Sequence, residues 1–188
     1  DRARLYFRQI LSGLEYMHAN GIMHRDIKPD NILMSNELVC KISDFGVSKM
    51  IWESGSDLVH QSVGTPAFMS PELCHIGAVE SHGYSDDVWA LGITLYALLM
   101  GRLPFYRDDL FELYEAIQHD ELCLKDCRAS PACQDLLRSM LDKAEPNRIS
   151  VPDMFKHPWV TDHDRDPMPP LTLTDDKAID QVTEEDLH

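Results

Sequence analysis

Within eight residues, His24-Arg-Asp-Ile-Lys-Pro-Asp-Asn31, the chain gathers a carboxylate (Asp26), an ammonium (Lys28) and a carboxamide (Asn31). Eighteen residues after Asp26 a second carboxylate opens Asp44-Phe45-Gly46. Taken alone, Asp26 reads as a turn or cap residue, the commonest work of an Asp beside Pro and Asn. The chemistry that would need all of these groups together is phosphoryl transfer. Its transition state requires attacking and leaving oxygens held in line and the charge on the equatorial oxygens neutralised.

Such groups must be held by a core. From Phe7 the apolar residues fall at Ile10, Leu11, Leu14, Met17 and His18, the spacing of a helix with one buried face, which Gly21 is expected to stop. Asn31–Met34 and Val39–Ile42 are β-prone runs flanking Ser35-Asn-Glu, which predicts a small hairpin beneath the site. From Asp44 to Glu72 the chain is punctuated by Gly, Ser and Pro with no helical period, longer than most connections and so a regulatory candidate. Ser85 offers a helix N-cap, Asp86 and Asp87 suit the positive helix end, and Val88 to Met100 is apolar nearly all round, which predicts a helix through the core. Further helices are expected over Leu110–Ile117, from Ser130-Pro131 with a buried face of Cys133, Leu136, Leu137, Met140 and Leu141, and from a capping pattern at Ser150-Val-Pro-Asp153.

The length of 188 residues suits one domain plus a tail. The longest apolar stretch, Val88 to Met100, is shorter than the about 20 residues a bilayer span needs. A formal charge of -15 argues against a nucleic-acid partner, which rewards clustered Lys and Arg. Residues 162–188 carry nine carboxylates against Arg165 and Lys177, so this zone holds seven of those negative charges and reads as an extended acidic tail, 161–188. Five cysteines with no C-x-x-C pair disfavour a disulfide framework and a zinc site, and fit reduced thiols in the cytoplasm.

The ordered pair H-R-D-x-x-x-x-N and D-F-G resembles the catalytic and metal loops of eukaryotic serine/threonine protein kinases. Gly64-Thr-Pro66, Ser70-Pro-Glu72, Asp87-Val-Trp-Ala-Leu-Gly92 and Arg148 within Pro146-Asn-Arg follow in that family's order, so the resemblance spans residues 1–160. It implies an α+β, predominantly helical fold: the larger, C-terminal lobe of a kinase domain with a small hairpin region. The N-terminal lobe, with its glycine-rich loop and strand lysine, is absent from the 188 residues. It also implies ATP and magnesium as cofactors. Asp26 would orient the substrate hydroxyl and accept its proton, Lys28 would face the transferred phosphate, and Asn31 and Asp44 would supply oxygen ligands to magnesium. Leu33 is expected against the bound nucleotide. His24 and Phe45 would stack to hold the two loops in register beside Gly46. Asp87 would accept from the backbone of the catalytic loop, although locally it serves equally well as a first-turn helix charge, and Glu72 would pair with Arg148. Lys28 and Thr65 match kinases that act on Ser and Thr hydroxyls, and Ser70 stands where the family usually has Ala.

Val47-Ser48, Val63-Gly-Thr-Pro-Ala-Phe-Met69, His157-Pro-Trp-Val-Thr161 and Val182-Thr-Glu-Glu-Asp186 resemble the calcium/calmodulin-dependent protein kinase kinases and related fungal upstream kinases. The resemblance implies a protein substrate, itself a kinase in that group, with any calmodulin-binding segment lying beyond His188. Arg25 before Asp26 usually accompanies a phosphorylated residue three positions ahead of the Gly-Thr-Pro turn; that position is Gln61, which predicts phosphate-independent activity, with Ser62 as the competing site and Asp57 or Glu53 as alternative fixed charges. A contrasting reading is a truncated kinase or pseudokinase that docks partners through the Leu110–Ile117 helix. The intact Asp26, Lys28, Asn31 and Asp44 speak against it.

Overall fold

A computed structural model describes residues 2–51, 58–59, 63–75 and 81–170. Helix α1 (Arg2–Ala19) buries Phe7, Ile10, Leu11, Leu14 and Met17, the face given by the apolar spacing, and ends two residues before Gly21. Strand β1 (Ile22–Met23) leads into the loop carrying Asp26, and a 3-10 turn over Pro29–Asn31 leads out of it. β2 (Ile32–Met34) and β3 (Cys40–Ile42) form the expected antiparallel hairpin, with Leu33 opposite Lys41. The Gln9 carboxamide of α1 accepts from the Cys40 amide at 2.6 Å, which fixes the hairpin on the helix.

The long segment after Asp44 makes only short pairings among its described residues. β4 (Lys49–Met50) returns antiparallel to β1, and β5 (Leu58–Val59) pairs with β6 (Ser81–His82). 3-10 turns over Pro66–Phe68 and Pro71–Cys74 carry its end into the helical core. That core is built around α2 (Gly83–Met100), whose residues from Asp86 to Tyr96 are all buried. Each of its large apolar side chains contributes about 1.5–3 kcal/mol by leaving water. α3 (Leu110–His119), α4 (Pro131–Met140) and the short α5 (Val151–Met154) surround it, opened by Asp109, Ser130 and Ser150, whose side chains accept from the amides three residues on. A Cβ at Gly92 would stand 2.9 Å from Leu141 Cδ2, so the absence of a side chain there lets α2 and the end of α4 approach. The Trp89 and Phe105 rings stack 6.0 Å apart, and Phe7 meets Trp159 edge-on.

Two sequence expectations shift. α2 starts at Gly83 after His82, so Ser85 is inside the helix rather than its cap, while Asp86 and Asp87 sit near the helix start as expected and are buried there. The chain beyond residue 160 also stays packed for several residues, where an extended tail was expected. Arg8 donates to the carbonyls of Val160, Asp166 and Pro167, and Arg4 pairs with Asp162 at 2.6 Å. Met168 packs on the core. Residues 171–188, with the rest of the acidic stretch, lie outside the described residues. All five cysteines are free thiols, and no described helix is long and apolar enough to cross a membrane.

Candidate active site

The loop between β1 and the Pro29–Asn31 turn is bent by Arg25, whose φ of 67° lies in the left-handed region that costs a non-glycine residue about 1–3 kcal/mol. The bend is held from below by Asp87. Its carboxylate accepts from the His24 and Arg25 amides at 2.9 and 2.8 Å and meets His18 Nε2 at 2.9 Å. Asp87 is 1 % exposed, so these three groups take the place of its water shell. The expected support of the loop backbone by Asp87 is therefore present as geometry. The His18 contact was not legible from the sequence, where that residue belonged to a packing face.

The bent loop presents Asp26. Lys28 Nζ donates to Asp26 Oδ2 at 2.7 Å, Asn31 Nδ2 donates to the same oxygen at 3.0 Å, and Thr65 donates to Oδ1 from both its amide (3.0 Å) and its hydroxyl (2.8 Å). Burial pushes the Asp26 carboxyl upward, but the donors Lys28, Thr65 and Asn31 outweigh it and hold the group below the usual carboxylate range. Asp26 is thus charged at neutral pH. Lys28 Nζ also donates to Thr65 Oγ1 at 2.7 Å, so a residue 37 positions further on closes the cluster. Gly64 makes this approach feasible: its φ is 113°, and a Cβ there would stand 2.5 Å from the Arg25 carbonyl oxygen.

Asp44, with φ of 64°, turns the second loop, and its Oδ1 accepts from the Gly46 amide at 3.2 Å. The link between the loops is His24, which is fully buried. Its Nδ1 lies 3.3 Å from the Asp26 amide and its Nε2 3.0 Å from the Ser43 carbonyl, so both ring nitrogens are engaged. The Phe45 ring meets the His24 ring edge-on at 5.4 Å. Arg25 Nε donates to the Val47 carbonyl at 2.6 Å; burial lowers its guanidinium pKa, partly offset by Asp87. Leu33 points from β2 with 60 % of its surface exposed. Ser62, Gln61, Asp57 and Glu53 lie outside the described residues.

Glu72 and Arg148, 76 residues apart, form a two-pronged pair, Nη1 to Oε1 at 2.5 Å and Nη2 to Oε2 at 2.9 Å. The guanidinium also donates to the carbonyl and hydroxyl oxygens of Ser85 and lies over the Trp89 ring. Next to it, Asp86 accepts from the Ser70 and Ser81 hydroxyls, at 2.5 and 2.7 Å. Sequence reasoning missed this group. The available signals were the serine before Pro71 and two consecutive aspartates at the head of an otherwise apolar helix, where one would serve the helix end.

The structure thus fixes one carboxylate by a lysine, an asparagine and a threonine and keys a second aspartate loop to it through a buried histidine, a grouping that the motifs named only in part. Residues 1–160 match the protein kinase domain family, and the chain belongs to it. Within that family it is similar to serine/threonine kinases, the calcium/calmodulin-dependent protein kinase kinase group among them. It is 40% identical over 187 residues to the calcium/calmodulin-dependent protein kinase kinase cmkC of Emericella nidulans, covering 100% of this chain and 36% of that protein. It is also 40% identical over 192 residues to a calcium/calmodulin-dependent protein kinase kinase of Caenorhabditis elegans (100% and 34%). To the serine/threonine-protein kinase GRIK2 of Arabidopsis thaliana it is 38% identical over 162 residues (86% and 39%). The chain thus spans between about a third and two fifths of the length of these relatives.

Proposed function

We propose that residues 1–160 are the larger, C-terminal lobe of a kinase domain, and that the protein containing them transfers the γ-phosphoryl group of ATP to Ser or Thr hydroxyls of protein substrates. The observation that carries this reading is the Asp26–Lys28–Asn31–Thr65 cluster: a charged, oriented carboxylate beside an ammonium. Asp26 would align the substrate hydroxyl and take its proton, and Lys28, already 2.7 Å from Asp26, would offset charge on the transferred phosphoryl group. Asn31 turns its amide nitrogen to Asp26, and no described donor reaches its Oδ1; exposed Asp44 likewise keeps Oδ2 unengaged. Hard oxygens of this kind fit magnesium, which would supply charge neutralisation on the ATP phosphates.

The similarity to kinase kinases supports another protein kinase as the substrate, and the unpaired cysteines support a cytoplasmic place of work. Nothing among residues 1–188 matches the glycine-rich loop and strand lysine of the other lobe, so residues 1–188 by themselves would be poorly active. The intact cluster around Asp26 favours the enzyme over a pure docking module.

The test is Asp26→Asn in the longest expressed form of the protein, assayed with ATP, magnesium and a protein substrate. The amide keeps the shape but cannot take the proton, so the rate should fall by about 10²–10⁴-fold. Lys28 keeps the Thr65 hydroxyl as a partner and 19% of its side chain exposed, so the variant should remain folded. Activity near that of the unaltered protein would remove Asp26 from this role.

A further inference from the structure

Three consecutive residues near the start of α2 each grip a different part of the chain. The Ser85 carbonyl and hydroxyl oxygens accept from Arg148, which holds Glu72. Asp87 holds the catalytic loop through the His24 and Arg25 amides. Asp86, between them, takes one hydroxyl on each carboxylate oxygen: Ser70 on Oδ1 and Ser81 on Oδ2. Ser70 and Ser81 are fully buried and Asp86 is 6 % exposed, so no water competes for these bonds.

The placement of the two serines gives the group its significance. Ser70 ends the stretch that begins at Thr65; the turn between them is closed by the Phe68 amide on the Thr65 carbonyl and the Met69 amide on the Pro66 carbonyl. Ser81 lies in β6, opposite Val59 of β5. One carboxylate therefore ties down the end of the Thr65–Ser70 stretch, whose other end reaches Asp26, and also β6, the strand that pairs with β5 earlier in the Asp44–Glu72 segment. Asp26, Thr65, Ser70 and Asp86 also line one small pocket of about 20 Å³, so the two sites face a common space.

We infer that Ser70, Asp86 and Ser81 form a positioning network that sets the Thr65–Ser70 end of the Asp44–Glu72 segment against Asp26, the residue proposed to align the substrate hydroxyl. It touches neither the substrate hydroxyl nor the nucleotide and acts through Thr65. The inference rests on the kinase reading above for its kinetic consequence and on geometry alone for its structural one. Burial pushes the Asp86 carboxyl upward in spite of the two hydroxyl donors. An asparagine there can accept from Ser70 and donate to the Ser81 oxygen, keeping both bonds.

Ser70→Ala, Asp86→Ala and Asp86→Asn separate positioning from bulk stability. In the longest expressed form of the protein, Ser70→Ala should raise KM for the protein substrate by roughly 5- to 30-fold, the equivalent of one lost buried hydrogen bond, and Asp86→Ala, which loses two, by at least as much, with KM for ATP unchanged. Asp86→Asn should bring the protein-substrate KM back to within about twofold of the unaltered value. Equal losses in both KM values, or a fall in melting temperature with no change in KM, would overturn the inference. Amide hydrogen exchange gives a reading that needs no activity. Ser70→Ala should speed exchange at Phe68 and Met69 ahead of the α2 amides, and uniform acceleration or no local change would overturn the network even in a protein that transfers phosphate. If the unaltered protein shows no phosphoryl transfer, the kinase reading fails while this local exchange result still decides the network.

Discussion

Glu72→Ala should be among the most destabilising single changes in the molecule. The Arg148 side chain is wholly buried, whereas Glu72 keeps 11% of its side-chain surface in contact with water. Removing the carboxylate strands the guanidinium, which retains the Ser85 oxygens, the Asp142 carbonyl and the face of Trp89 but no opposite charge directly bonded to it. Breaking a buried pair in this way costs about 3–5 kcal/mol. At about 2–4 °C per kcal/mol for a domain of this size, the midpoint should fall by roughly 6–20 °C. Arg148→Ala removes the charge itself, and Glu72 can then turn to solvent, so its cost is mainly lost packing over Trp89. The double variant should be no worse than Glu72→Ala and should be milder, giving a coupling of about 1–3 kcal/mol in a double-mutant cycle followed by urea unfolding. Strict additivity, within about 0.3 kcal/mol, would show that the two-pronged geometry contributes nothing and would refute the reasoning.

Asp86 also predicts a pH effect. Its folded pKa of about 7 lies above the ordinary carboxylate value of 3.8, so the folded state binds the extra proton and stability declines as pH rises from about 4 to 7. Asp86→Asn should therefore match the unaltered protein near pH 4 and exceed it increasingly as pH rises to 7; a difference independent of pH would count against a buried, desolvated carboxyl. The activity of phosphatase-treated protein, shown by mass spectrometry to carry no phosphate between Asp44 and Glu72, should persist, because position 61 is Gln and Arg25 already donates to the Val47 carbonyl. Collapse of activity restored only by rephosphorylating Ser62 would reverse that expectation.

The helices of this protein were legible because each one writes its buried face into local spacing. Phe7–Met17 of α1 and Cys133–Met140 of α4 follow the helical period, and Ser130 and Ser150 supply the start signals that the backbone requires. The candidate reactive residues stood out for a different reason: His24–Asn31 and Asp44–Gly46 are short segments whose order matched a known family. Sequence could not decide which distant groups meet. Thr65 reaches Asp26 across 39 residues, and Glu72 reaches Arg148 across 76. Asp86 and Asp87 look alike in sequence, as two carboxylates at a helix start, yet successive helix residues point about 100° apart. Burial gives each its own set of donors, Ser70 and Ser81 for one and the amides of the catalytic loop with His18 for the other. Local spacing determined the elements and nominated the chemistry. Only the packing of α2 beneath both loops decided which carboxylate supports which, because a buried charge must find its partners wherever the fold brings them.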